Sequence, residues 1–226
     1  MDSLFLDNNI SIGFCFRQDP QHTFAKKLFN YNCSMNWSNN VLYEFKKVFE
    51  RKRNAFDDLV FDLILELNNK NKYMSKNNLI NISLRLQRES FDVESLKKLF
   101  TDFWAESSFQ DSVSSSEIVS SLNRYKRTFI KQLLKDKSFC LKKISTHIRQ
   151  QNYPIIEQQL NIDGEDDLNK LGNDMNICLD AHDLGKIVHK LKFITDDTKI
   201  LEDKLNIENI TKIYRVLGIN DYEFPP

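Results

Sequence analysis

Two acidic groups follow short apolar segments at opposite ends of the sequence. Asp7 follows segment 4–6, while Asp196 and Asp197 follow segment 192–194 after one threonine. If both segments are strands of a parallel sheet, both acidic groups lie beyond the carboxyl ends of the strands, where ligands bind. Carboxylates gathered there could bind a divalent cation. An Asp after a strand is also an ordinary turn residue, so neither position alone establishes a site.

Three further acids lie in segments with a helical pattern. Val41 precedes Glu44 by three residues and Val48 follows it by four, so the Glu44 carboxylate is expected beside an apolar stripe. An acid there needs a partner, either a cation or a neighbouring Lys or Arg. Asp180 and Asp183 are one helical turn apart, so both can point to one side of a helix, towards a ligand or towards solvent.

These acids form a set of oxygen ligands without Cys or His, which suits Mg²⁺ or Mn²⁺. The sequence contains four cysteines, which are Cys15, Cys33, Cys140 and Cys178. They show no CxxC spacing, and the four His residues are scattered singly. Buried, reduced thiols are therefore predicted in place of a zinc site or a disulfide framework.

Elements at both ends of the chain must position the acids. Four short apolar segments have the composition of buried strands, and they are residues 3–6, 33–35, 192–194 and 212–217. Helical patterns occur at residues 9–16, 21–29, 41–67, 174–189 and 198–204. Strands that alternate with helices at both ends predict an α/β fold with a parallel sheet.

The middle of the chain has a different pattern, because residues 77–152 have helical periodicity. This predicts a helical insertion within a discontinuous domain of residues 1–70 and 165–226. The chain has 226 residues, of which 41% are hydrophobic and 28% charged, which is enough for one large core with an insertion.

Charge is distributed unevenly although the formal net charge is zero. Residues 121–150 contain nine Lys or Arg and one acid, whereas residues 151–226 contain eight bases and fifteen acids. This contrast is expected if one part of the protein binds a polyanion and the other binds cations. Two solvated faces, or a basic surface for an acidic partner protein, would give the same pattern. The candidate polyanion contacts are Arg124, Lys126, Arg127 and Lys131.

The first residues, MDSLFLDNNISIGF, contain two acids, no basic region and no long apolar run. This composition is typical of neither a signal peptide nor a membrane span. A cytoplasmic protein that does not associate with a membrane is therefore expected.

Four segments that carry the acids resemble the signature blocks of the PIN-domain nucleases and occur in the same order. The segments are Leu4-Phe5-Leu6-Asp7-Asn8-Asn9, Val41-Leu42-Tyr43-Glu44-Phe45, Asp180-Ala181-His182 and Phe193-Ile194-Thr195-Asp196-Asp197. The resemblance covers roughly residues 1–70 and 165–217. It implies a PIN-like α/β/α fold with a parallel sheet, and cleavage of RNA with one or two divalent metal ions.

The resemblance also implies roles for individual residues. It assigns metal-binding or metal-orienting roles to Asp7, Glu44, Asp180 and Asp197, and makes Asn9 and Thr195 polar neighbours of the site. Asp183 stands where the family often has an apolar residue, and could add a ligand. Asp196 competes with Asp197 for the last acidic position, and the spacing after Thr195 favours Asp197. The interval from Glu44 to Asp180 is longer than the family requires, in agreement with an insertion.

The sequence therefore predicts a metal-dependent endoribonuclease with Mg²⁺ or Mn²⁺ as cofactor. RNA is the expected partner. An inhibitory or antitoxin-like protein and a second copy of the chain are further candidate partners, because toxin, RNA-processing and defence roles all stay open. The alternative from another class is a catalytically silent RNA-binding or protein-interaction scaffold that retains the fold.

Overall fold

The computed structural model describes residues 2–69, 72–87, 90–162, 171 and 174–224. The chain divides into two compact units. Unit 1 consists of Met1–Cys15, Gln21–Lys46 and Ser138–Pro226, and unit 2 consists of Phe16–Pro20 and Lys47–Lys137.

Helices and strands make up most of the described chain. In chain order they are β1 (Ser3–Leu6), α1 (Asn8–Cys15), α2 (His22–Asn30), β2 (Ser34–Ser38), α3 (Asn39–Asn68), β3 (Tyr73–Met74), α4 (Lys76–Arg85), α5 (Val93–Glu106), β4 (Val113–Ser114), α6 (Ser115–Lys143), β5 (Ser145–His147), α7 (Pro154–Ile162), α8 (Asp174–Gly185), β6 (Lys192–Ile194), α9 (Thr198–Glu202), α10 (Lys204–Ile210) and β7 (Arg215–Leu217). The strands β1, β2, β5, β6 and β7 all belong to unit 1.

These five strands form a parallel sheet with the order β5-β2-β1-β6-β7. After β1 the chain adds β2 and β5 on one side, and then adds β6 and β7 on the other side. The strand order therefore reverses between β1 and β6. In a parallel α/β sheet, ligands bind in the crevice at such a reversal, beyond the carboxyl ends of the strands.

Apolar packing fixes the register of β1 against β6. Leu6 pairs with Ile194, and both side chains are fully buried. The rings of Phe5 and Phe193 meet edge to face with their centroids 5.4 Å apart. Strands buried in this way read as continuous apolar runs, which is why the sequence predicts both of them. The residues that follow the two strands are consequently held side by side.

Unit 2 is mainly helical. It contains α4, α5, residues 47–68 of α3 and residues 115–137 of α6, together with the short antiparallel pair of β3 and β4. The rings of Phe56 on α3 and Phe129 on α6 have centroids 4.4 Å apart. Asp92 caps α5 by accepting a hydrogen bond of 2.7 Å from the backbone N–H of Ser95.

The predicted α/β fold with a parallel sheet is confirmed, and its architecture is compatible with an α/β/α arrangement. Strand β5 is a correction, because it lies within the segment predicted to be helical. Its three residues are exposed or half-buried, so no apolar run marks the strand in the sequence. The units also have different bounds from the predicted division at residues 70, 77 and 152, because α3 and α6 each have residues in both units.

All four cysteines are buried and free of disulfide bonds, as predicted. The Sγ atoms of Cys15 and Cys140 lie 4.0 Å apart in the interior of unit 1. Across the described residues, none of the helices combines the length and the hydrophobicity needed to span a bilayer.

Candidate functional site

Asp7 lies directly after β1, at the reversal of the strand order, and its side chain is buried. Three donors orient its carboxylate. The backbone N–H of Asn8 donates to Oδ1 at 2.6 Å. The hydroxyl of Thr195 and the Nδ2 of Asn9 donate to Oδ2 at 2.7 Å and 3.2 Å. Thr195 and Asn9 are thus direct neighbours of Asp7.

The Asp7 carboxyl group is electrostatically unusual. Burial raises its pKa to about 7, although the hydrogen bonds from Thr195 and Asn8 oppose this change. The negative charges of Glu44 and Asp174 raise the pKa further. A buried carboxyl group surrounded by other acids is unfavourable in its charged form, and a nearby cation would reverse that preference.

Thr195 and Asp197 connect the ends of β1 and β6. The Thr195 hydroxyl, which donates to Asp7, also accepts the backbone N–H of Asp197 at 3.0 Å. Asp197 is the N-cap of α9, and its Oδ1 accepts backbone N–H groups of Lys199 and Ile200 at 2.9 Å and 3.1 Å. Its Oδ2 has no hydrogen-bond donor within the described ranges, so this oxygen can bind a ligand.

Asp174, the first residue of α8, belongs to the same group of acids. Burial raises its pKa, the charges of Asp197 and Glu44 raise it further, and Lys199 lowers it. Sequence reasoning missed this residue as a site candidate. The one available signal was its place at the start of a predicted helix, next to an acidic C-terminal region.

The thiol of Cys178, one helical turn after Asp174, is affected by the same group of acids. Burial raises the pKa of Cys178, and the carboxylates of Asp174, Asp7, Asp203 and Asp197 raise it further. One buried thiol therefore lies within electrostatic range of carboxylates from three distant parts of the sequence.

Glu44 lies on the first part of α3, where its side chain is exposed while Val41 and Phe45 are fully buried. Its charge acts on both Asp7 and Asp174. In the part of the chain that the structure describes, no Lys or Arg forms an ion pair with Glu44. The ion-pair explanation for this acid therefore has no support there. We call Asp7, Glu44, Asp174 and Asp197 the carboxylate cluster.

Asp180 has a different environment. Its side chain is 3% exposed, and its Oδ1 lies 3.3 Å from the Nε of Arg149. Its Oδ2 accepts a hydrogen bond of 2.9 Å from the Nδ2 of Asn40. The predicted ligand Asp180 is thus already paired with a guanidinium and an amide.

Asp183 is buried and joins α8 to the segment after β5. Its carboxylate accepts hydrogen bonds from the Tyr153 hydroxyl and from the backbone N–H of Gln150, the latter at 3.0 Å, and lies 2.8 Å from the Nε2 of His147. Burial raises the pKa of Asp183, but the bonds from Tyr153, Gln150 and His147 outweigh it and hold the pKa below its usual value. These contacts explain the buried acid without a metal ion.

Asp196, the other acid after β6, is exposed. Its Oδ2 accepts a hydrogen bond of 2.6 Å from the Nε2 of Gln21. The charge of Asp197, the acid preferred from the spacing after Thr195, raises the pKa of Asp174, and its role as a ligand stays a prediction.

The Lys and Arg residues of segment 121–150, which we call the basic block, lie mostly on α6 and mostly in unit 2. Four of its residues are exposed and have the spacing of one helix face, and they are Arg124, Arg127, Lys131 and Lys135. We call them the basic stripe, which spans about 16 Å along the helix. The fourth predicted contact, Lys126, lies outside the stripe because its Nζ forms an ion pair of 3.0 Å with Asp57.

The carboxylate cluster fits a hard divalent cation by its chemistry. All of its donors are oxygens, and the neighbouring Oδ1 of Asn9 is buried without a hydrogen-bond partner in the described parts of the chain. The spacing of the side chains is less favourable. Among the described residues, no three His, Cys, Asp or Glu side chains are close enough together to hold one ion.

No protein-family model, curated protein or solved structure gives a significant match to the chain. Its function is therefore inferred from the chemistry and contacts of its residues.

Proposed function

We propose that the protein is a metal-dependent endoribonuclease with a PIN-like α/β/α domain. The observation that carries the proposal is the carboxylate cluster, in which acids from four segments affect one another beside the strand-order reversal of a parallel sheet. A reversal point is the ordinary ligand site of such sheets. A group of acids there, without Cys or His, suits Mg²⁺ or Mn²⁺.

Asp7, Glu44, Asp174 and Asp197 would hold the metal, with the Oδ1 of Asn9 as a further oxygen, after side-chain movement brings at least three of these groups closer together than they lie in the structure. When bound, the ion would acidify a water molecule and neutralise charge on the scissile phosphate. Thr195 and Asn8 orient the Asp7 carboxylate, and Thr195 also fixes the backbone of Asp197. The Asp7 carboxylate, which is held in this way, needs little reorganisation before the reaction.

In this proposal Asp174 replaces Asp180, for which the resemblance implies a role in metal binding. Asp174 acts electrostatically on Asp7, whereas both oxygens of Asp180 already have partners. Asp183 and Asp196 also have protein partners, so we do not include them among the ligands.

The second candidate function is a catalytically silent RNA-binding or protein-interaction scaffold. The spacing of the acids favours it, since no three ligands within the described residues are close enough to hold one ion. Either protein would bind RNA through the basic stripe. An antitoxin-like inhibitor and a second copy of the chain stay proposed partners. The four cysteines are buried and form no disulfide bond, which supports a proposed cytoplasmic location.

Cleavage of single-stranded RNA distinguishes the two functions. We expect the purified full chain to cut labelled RNA within its sequence in Mg²⁺ or Mn²⁺, and to stop in EDTA, because the ion supplies the nucleophile and stabilises charge. The readout is product length on a denaturing gel. If the protein cleaves none of several different RNAs in either metal, the result favours the catalytically silent scaffold.

Charge reversal tests RNA binding by the basic stripe. Replacing Arg124, Arg127 and Lys131 with Glu is expected to weaken RNA binding about tenfold or more. It should also make RNA affinity less dependent on salt concentration. Each lost phosphate contact removes roughly one unit from the slope of log affinity against log salt concentration. Lys126 is left unchanged, since a Glu there would face Asp57. Affinity is measured by fluorescence anisotropy across a salt series.

The matched control reverses Lys47, Lys72 and Lys76, three exposed lysines of the same unit. It makes the same change in net charge. If both triple variants weaken binding equally, the effect comes from overall charge, and the stripe has no specific role.

A further inference from the structure

Arg149 is a basic side chain whose contacts lie on α8, one of the helices of the carboxylate cluster. It follows β5 at the carboxyl edge of the sheet. Its Nε lies 3.3 Å from Asp180, and its Nη2 donates to the Oδ1 of Asn176 at 3.3 Å. A guanidinium has five N–H donors, so three are left. The side chain is 23% exposed, so an external ligand can reach it.

Both partners of Arg149 lie on elements that also carry cluster acids. Asn176 and Asp180 are on α8, which begins with Asp174. Asn40, which donates to Asp180, is one helical turn before Glu44 on α3. Side chains four residues apart on a helix have Cβ atoms about 5–6 Å apart. The network of Arg149 is therefore one helical turn from Glu44 on α3, and on α8 its two partners lie two and six residues after Asp174.

The backbone on either side of Arg149 is also fixed. His147 lies before it and Gln150 and Tyr153 lie after it, and all three contact the buried Asp183 carboxylate. The segment is thereby attached to α8, the same helix that holds the guanidinium. An arginine positioned in this way loses little conformational entropy when it binds a ligand.

We propose that Arg149 binds a backbone phosphate of the RNA beside the carboxylate cluster, and that Asp180 is its positioning residue. This inference rests on the proposed function. A planar guanidinium with free donors matches two phosphate oxygens, whereas carboxylates alone repel the strand. The Oδ1 of Asp180 faces the Arg149 guanidinium, and its Oδ2 accepts a hydrogen bond from the amide of Asn40. The proposal gives Asp180 a role in substrate binding in place of metal binding.

Removing Arg149 alone would leave the buried Asp180 charge unpaired and endanger folding. The test therefore uses the double variant Arg149→Met with Asp180→Asn, which removes both charges, together with the single variants Arg149→Lys and Asp180→Asn. All are made in the full chain carrying Glu44→Gln, which prevents cleavage during the measurement. Affinity for a fluorescein-labelled single-stranded RNA in Mn²⁺ is measured by anisotropy, and thermal unfolding is recorded for each variant.

The double variant is expected to bind RNA about tenfold to 100-fold more weakly, as for loss of a hydrogen bond to a charged group. Arg149→Lys should recover part of the affinity, since it keeps the charge without the planar fork. Asp180→Asn alone should tighten binding severalfold, because the amide oxygen of the new Asn can still position the guanidinium but no longer neutralises its charge. The matched control is Arg215→Met with Glu208→Gln, which removes another ion pair of unit 1 and should leave RNA affinity unchanged.

Two results would overturn the proposal. One is a folded double variant that binds RNA as tightly as its parent. The other is loss of Mn²⁺ binding when Asp180→Asn is made in the wild-type chain, where Glu44 is intact, because that loss would make Asp180 a cation ligand. Neither depends on whether the wild type cleaves RNA, so a failure of the nuclease proposal is recognised separately.

Discussion

Asp7→Asn is expected to lower RNA cleavage at least about 100-fold while making the metal-free protein more stable than the wild type above neutral pH. The loss of activity follows from the removal of a charged oxygen ligand. The gain in stability follows from burial, since Asp7 is 5% exposed and its charged form is disfavoured among the other acids.

The surroundings of Asp7 can accept an amide. The Oδ1 of the new Asn can keep the backbone hydrogen bond from Asn8. Rotation of the Asn9 amide would turn its Oδ1, which has no partner among the described residues, towards the new NH₂ group. The Thr195 hydroxyl can accept as well as donate. The substitution therefore removes the buried charge and leaves hydrogen-bond partners for both the oxygen and the NH₂ group of the new Asn.

Cleavage rates in saturating Mn²⁺ and urea unfolding in EDTA measure the two effects. Asp221→Asn is the matched control, because Asp221 is an exposed acid of the same unit and should change neither quantity appreciably. A variant that is inactive but also strongly destabilised would indicate a structural role for Asp7. A variant with full activity would remove Asp7 from the site.

The second large effect concerns pH. The pKa of Asp7 is about 7 in the folded protein, above its ordinary value of 3.8. Between these values the folded state binds more protons at this position than the unfolded state does. Its contribution to stability is therefore complete below about pH 4 and is lost as the pH rises towards 7. The loss is on the order of a few kcal/mol.

Comparison with Asp7→Asn isolates this contribution from the other titrating groups. The free energy of unfolding is measured in EDTA from acid to mildly alkaline pH for both proteins. The stability of the variant relative to the wild type should rise between about pH 4 and pH 7 and then stay constant. Parallel curves over that range would mean that Asp7 has an ordinary pKa.

The sequence predicts the central strands because β1 and β6 are apolar runs buried on both faces. Asp7, Thr195 and Asp197 follow those strands, so their placement beside the strand-order reversal is predictable as well. No apolar run marks β5, a three-residue edge strand whose side chains are exposed or half-buried. Without β5, Arg149 has no predicted place at the carboxyl edge of the sheet.

Partners distant in sequence account for the other differences. Asp174 and Asp180 lie on one helix, and no periodicity states which of them faces Asp7 and which faces Arg149. Lys126 likewise belongs to the basic block by sequence, but Asp57 on α3 pairs with it. Such pairings depend on the packing of whole helices, which composition and spacing do not determine.

Divalent-cation binding by the carboxylate cluster is the property on which the ribonuclease proposal depends, and titration calorimetry with Mn²⁺ measures it directly. The titration is best done at about pH 8, where Asp7 is charged. We predict saturable binding by the wild type and its loss or strong weakening in Asp7→Asn and Glu44→Gln, with Asp221→Asn binding like the wild type. Absence of binding by the wild type, or equal binding by all four proteins, would contradict a metal site at the cluster.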